Sequence, residues 1–98
     1  GTYYERKCVS LAKKKGLHAE RTWGSDGRSR GLPQEVDMVL EHNIYIQCKK
    51  RKKLGKHLKP TSNIHVQFVG EDFGDNYAIM SQDYFFTLIA MIKEIENG

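Results

Sequence analysis

At 98 residues the chain has room for one domain and not for two. Its 39% hydrophobic and 29% charged residues suit a modest core and exclude a disordered chain, while a net charge of +4 and a pI near 9.1 fit either a solvated basic surface or an anionic partner, with nucleic acid as the leading functional reading. No apolar run reaches the roughly 18 residues of a membrane span, and no long apolar leader opens the sequence, so no membrane partner is expected. Cys8 and Cys48 form no CxxC pair and no histidine pair has zinc-finger spacing; a reducing, cytoplasmic setting is the expectation.

The first element is predicted as a helix over "TYYERKCVSLAKKKG". Tyr4, Cys8, Leu11 and Ala12 fall on one face, Thr2 and Glu5 have capping-box spacing, and Gly16 is a stop signal. "LHAERTW" (17–23) alternates like a strand, and the three glycines and one proline of "GSDGRSRGLPQ" (24–34) mark a loop. "EVDMVL" (35–40) is the second strand, "EHN" (41–43) a turn and "IYIQCK" (44–49) the third strand. The segment "KKRKKLGKHLK" (49–59) holds no acid and has room for one short helical turn. "NIHVQFV" (63–69) and "NYAIM" (76–80) are strands about the turn "GEDFGD". The last element is a helix over 81–96, with Ser81 as cap and Phe85, Leu88, Ile89, Ile92 and Ile95 as its apolar stripe. The pattern predicts a mixed α/β domain over 1–98: a helix, a three-stranded meander, further strands, and a C-terminal helix packing one small mixed sheet.

Side chains alternate across a strand, so Tyr45, Gln47 and Lys49 share one face of the third strand while Ile44, Ile46 and Cys48 share the core face. If "EHN" is a three-residue loop, Leu40 pairs with Ile44 and Asp37 lies opposite Gln47. A two-residue turn would set Asp37 against Cys48, on the other face. With the longer loop, the Asp37 carboxylate, the Gln47 amide oxygen and the backbone carbonyl of Cys48 form a set of hard oxygen donors suited to Mg²⁺ or Mn²⁺. Lys49 then stands where it can orient water or offset charge on a phosphate, and Glu5 on the first helix completes the set directly or through water.

Glu5 on the first helix, Asp37 on the second strand and Gln47-x-Lys49 on the third give an ordered pattern that resembles the PD-(D/E)-x-K nuclease superfamily. The small archaeal-type Holliday junction resolvases are similar in size and order, including a Gly/Ser/Arg-rich loop like "WGSDGRSRGLPQ" ahead of the aspartate. Phage-type replication-and-repair nucleases share the same core. Gln47 stands where the superfamily usually has Glu, a variant that resembles the Mrr-type endonucleases. Val36 precedes Asp37, and the motif proline is displaced to Pro33. The resemblance covers roughly residues 2–53. It implies a restriction-endonuclease-like core and a Mg²⁺-dependent endodeoxyribonuclease that selects branched or flapped DNA, with Glu5, Asp37, Gln47 and Lys49 as its catalytic set.

In the resolvase-like families the corresponding loop approaches the scissile strand, which makes Ser25, Arg28 and Arg30 expected DNA contacts. Trp23 is the aromatic of that region, with packing as its simpler role. Lys50, Arg51, Lys52, Lys53, Lys56 and Lys59 are expected to track phosphates, a contact that adds affinity without sequence information. The Tyr84–Phe86 cluster with Ile89 and Ile92 is expected to be mostly core, and any apolar surface there in excess of the core's needs would serve a homodimer. The alternative to a nuclease is a non-catalytic nucleic-acid-binding module, or a subunit of a larger nuclease complex, in which neutral Gln47 marks a degenerate site.

Overall fold

In the computed structural model, which describes residues 2–22 and 31–98 and at His57 the backbone alone, the first element is helix α1, Thr2–Lys14. Its buried positions, Glu5, Cys8, Val9 and Ala12, recur at helical spacing and form one stripe. Thr2 is already inside the helix, so the cap expected of it is not where the helix begins. At the other end Gly16 takes φ +81°. Its N–H donates to Lys13 O at 2.9 Å, and the Leu17 N–H donates to Ala12 O at 3.1 Å. This is the Schellman arrangement, in which a residue without Cβ reverses the chain at no steric cost. Leu17 is thereby turned into the core.

Three short strands follow: β1 (Ala19–Arg21), β2 (Met38–Leu40) and β3 (Ile44–Ile46). They form an antiparallel meander in the order β1-β2-β3, as expected. Leu40 pairs with Ile44, Val39 with Tyr45 and Met38 with Ile46; on the other side Leu40 pairs with Ala19 and Met38 with Arg21. The register is the one a three-residue loop demands. His42 and Asn43 both take the left-handed conformation, at φ 67° and 57°. The Glu41 N–H donates to His18 O at 3.0 Å and its carboxylate accepts the His18 N–H at 2.9 Å, which ties the hairpin to the start of β1. Helix α1 packs against β1 and β2. Beneath it lie Ala19, Met38 and Leu40, the last two at 0% and 1% exposure.

The chain divides into two compact units, residues 1–50 and 51–98. In the second, the basic segment makes one 3₁₀ turn at Lys56–Leu58. Strands β4 (Val66–Gly70) and β5 (Asn76–Met80) then pair antiparallel over their full length. Helix α2 spans Gln82–Asn97, with the Ser81 hydroxyl accepting the Tyr84 N–H at 3.1 Å.

The single mixed sheet expected from the sequence is instead two antiparallel sheets. A short loop joins β4 to β5 and lets neighbours in sequence pair at once, whereas a parallel ladder needs a longer crossover. The expected stripe of α2 is also shifted. Phe86 and Ile89 are buried, Phe85 and Leu88 are half-buried, and Ile92 and Ile95 are exposed. Among the described residues no helix is long and apolar enough to cross a membrane.

Met38 fills the centre of the first unit from a strand of three residues. Met38→Ala is expected to cost that unit about 2–5 kcal/mol, read as a lower urea midpoint at unchanged slope.

Candidate functional site

Asp37 sits one residue ahead of β2 and is held from both sides. Its carbonyl accepts the Thr22 N–H at 3.1 Å, continuing the β1–β2 ladder. Its own N–H donates to Ile46 O at 2.9 Å. Extending the β2–β3 register would place Asp37 opposite Gln47, so this bond to Ile46 marks a one-residue step at the end of the ladder. The carboxylate closes the step: Asp37 Oδ2 accepts the Cys48 N–H at 2.6 Å. A charged acceptor at that distance makes a strong hydrogen bond. Behind it, the buried Thr22 hydroxyl donates to Val36 O at 2.6 Å, and the Val36 N–H donates to Pro33 O at 3.1 Å.

Glu5 approaches from α1 at 7% exposure. Its Oε1 accepts from both Nη2 (3.2 Å) and Nε (3.4 Å) of Arg21 on β1. Alternation puts Arg21 on the face of Ala19 and Met38, beneath the helix. An arginine there needs an acid partner, and Glu5 provides it. Sequence reasoning had passed over Arg21, although its place two residues after Ala19 was a usable signal.

Cys48 records how these groups converge. Its thiol is pushed up to about 12, first by burial, then by the neighbouring Cys8 thiol as charge and as hydrogen-bond partner, then by the charges of Asp37 and Glu5. It is therefore a neutral thiol at pH 7. Tyr4 is shifted upward too, by burial and then by Cys8 and Cys48. Tyr4, Glu5, Cys8, Asp37 and Cys48 thus share one electrostatic neighbourhood beside the end of β3. The Lys50 ammonium lies 5.2 Å from the centroid of the Tyr4 ring, a cation–π distance.

The third strand is partitioned as alternation requires. Ile44, Ile46 and Cys48 are half-buried, and Tyr45, Gln47 and Lys49 are exposed. Ladder pairing stops at Ile46, three residues short of the expected strand end. Among the described residues no three His, Cys, Asp or Glu side chains group as a metal site. The donor set expected for Mg²⁺ contains only two such side chains, Glu5 and Asp37; the others are the Gln47 amide and the Cys48 carbonyl. Within that set, the hydrogen bonds described above engage Asp37 Oδ2 and Glu5 Oε1. Asp37 fits a hard cation directly, whereas Glu5, bound to Arg21, fits better through water.

Arg51, Lys52, Lys53, Lys56 and Lys59 are all exposed. Ser25, Arg28 and Arg30, with Trp23, lie outside the described residues. No family model, no curated protein and no solved structure matches the chain.

Removing Arg21 would strand the Glu5 carboxylate in a buried setting. Arg21→Ala is expected to cost about 2–3 kcal/mol in urea unfolding. The double replacement Glu5→Gln with Arg21→Met should recover most of that loss, because the charge that needed a partner is gone.

Proposed function

We propose that the protein is a metal-dependent DNA endonuclease built on a PD-(D/E)-x-K-like, restriction-endonuclease-like core, with branched or flapped DNA as its substrate. The observation that carries this reading is the Asp37 carboxylate bound to the Cys48 N–H just past β3, with Glu5 of α1 in the same electrostatic neighbourhood, where the chain runs on into Gln47 and Lys49. Asp37, the Gln47 amide oxygen and the Cys48 carbonyl would hold Mg²⁺ or Mn²⁺, with Glu5 acting through water. When bound, the ion would supply Lewis acidity toward a phosphate oxygen and a water.

The chain's own residues do the rest. Arg21 holds Glu5 in place from beneath. The Cys48 N–H fixes one Asp37 oxygen and so aims the other. The exposed Lys49 ammonium offsets negative charge on the phosphate as the P–O bond is broken. The exposed cations from Lys50 to Lys59 draw the DNA backbone without reading sequence. Exposed Met91, Ile92 and Ile95 on α2 support a homodimer, which suits cutting of two strands.

A second reading, a non-catalytic nucleic-acid-binding module or a subunit of a larger nuclease complex, is favoured by one feature. Gln47 is neutral, so the site has one negative charge fewer than a Glu at that position would give. Cleavage assays separate the two. Labelled four-way junction, flap, duplex and single-stranded DNA would be incubated with Mg²⁺, with Mn²⁺ and with chelator. The nuclease reading expects metal-dependent cutting that Lys49→Ala lowers by about 10²–10³-fold. Asp37→Asn should abolish cutting while folding and DNA binding persist, since the amide oxygen still accepts the Cys48 N–H. Salt-sensitive binding without cutting by the wild type would sink the nuclease reading in favour of the second.

A further inference from the structure

The second unit carries a cavity that the proposed active site does not use. It is a half-open groove of about 390 Å³ lined by Pro60, Ile64, His65 and Tyr84, with Ser62 and Asp83 adding polar atoms. That is a usual size for a small-molecule site. The rings of His65 and Tyr84 lie 5.0 Å apart, tilted by 38°. Tyr84 is set in place by the first turn of α2, where its N–H meets the Ser81 hydroxyl. Immediately before Pro60 the chain bears Arg51, Lys52, Lys53, Lys56 and Lys59, all exposed.

Charge decides which part of a nucleotide this cavity suits. A helix start attracts anions, but Asp83 in the first turn of α2 puts a carboxylate on the same wall and opposes a phosphate. A nucleobase is neutral. It offers a flat face to an aromatic pair, and its amine or ring N–H groups donate to carboxylate and hydroxyl oxygens. Its phosphates then belong on the lysines that lead to Pro60. We propose that the cavity is a nucleobase subsite, holding one unpaired base of a single strand whose backbone follows the basic segment. This deepens the proposed function by naming a single-stranded portion of the substrate; it rests on the nucleic-acid part of that reading and not on cleavage.

The test is fluorescence anisotropy in chelator, so that cutting plays no part. The probes are a labelled single strand of about 12 nucleotides, a strand of equal length and charge made of abasic residues, and the ribose counterpart of the first. The wild type is expected to bind the ordinary strand about tenfold more tightly than the abasic one. His65→Ala and Tyr84→Ala should each shrink that preference to about twofold or less, with an unchanged salt slope because the phosphate contacts remain. His65 is exposed and its removal leaves the core intact; circular dichroism checks Tyr84→Ala. Equal binding of ordinary and abasic strands by the wild type overturns the subsite. So does a base preference that survives both alanine substitutions. A ribose strand that binds as well as the deoxyribose strand supports the base as the group recognised. Base-dependent binding without metal-dependent cutting would leave this subsite standing while the nuclease reading fails, and cutting without base dependence would do the reverse.

Discussion

The first unit turns on how Asp37 is held. Its carbonyl is bound to β1, its N–H to β3, and its carboxylate to the Cys48 N–H just beyond the ladder. A backbone N–H at the end of a short sheet needs an acceptor if it is removed from water. The carboxylate supplies one, and in doing so keeps the chain from parting where Gln47 and Lys49 begin. A charge-assisted bond of this kind is worth about 1.5–3 kcal/mol, considerable for a sheet whose strands are three residues long.

That restraint works together with a second one between helix α1 and the sheet. Helix α1 covers the sheet with small and medium side chains, Cys8, Val9 and Ala12, so the backbones approach closely. The same stripe includes Glu5, which would be costly to bury alone. Arg21 rises from β1 to meet it, and the pair spans helix and strand. Two carboxylates are therefore brought near Cys48 by different means, one through a backbone amide and one through a guanidinium. Burial first, then Cys8, then the charges of Asp37 and Glu5 push the Cys48 thiol up.

The second unit follows a more local logic. β4 and β5 pair with each other, and Ser81 starts α2 directly after β5. Local pairing limits how much apolar surface a hairpin can hide. Phe68 and Tyr77 remain 83% and 56% exposed, and Ile95 near the end of α2 78%. The second unit thus leaves aromatic and aliphatic side chains exposed close in sequence to a run of exposed cations.

Much of the local structure was legible in the sequence because it depends on near neighbours. Alternation fixed which residues of β3 face the core. Gly16 fixed the end of α1 because only the left-handed conformation closes the Schellman turn, and the pairing of Leu40 with Ile44 is the one of two registers that a three-residue "EHN" loop allows. Other features depend on groups far apart in the chain. The partner of Glu5 is 16 residues away and the partner of the Asp37 carboxylate is 11 away. No spacing rule selects Arg21 over other cations, or a backbone amide over Lys49, as the group an acid will meet. The choice of two antiparallel sheets over one mixed sheet was of the same kind, since strand pattern gives the faces of a strand but not its neighbour. The sequence by itself determined the elements and the faces of their residues, because these follow from periodicity, and narrowed the meander's register to a choice between two turn lengths. Only the tertiary structure decided which charges meet, because that depends on where the packing of α1 on the sheet leaves each buried acid in need of a donor.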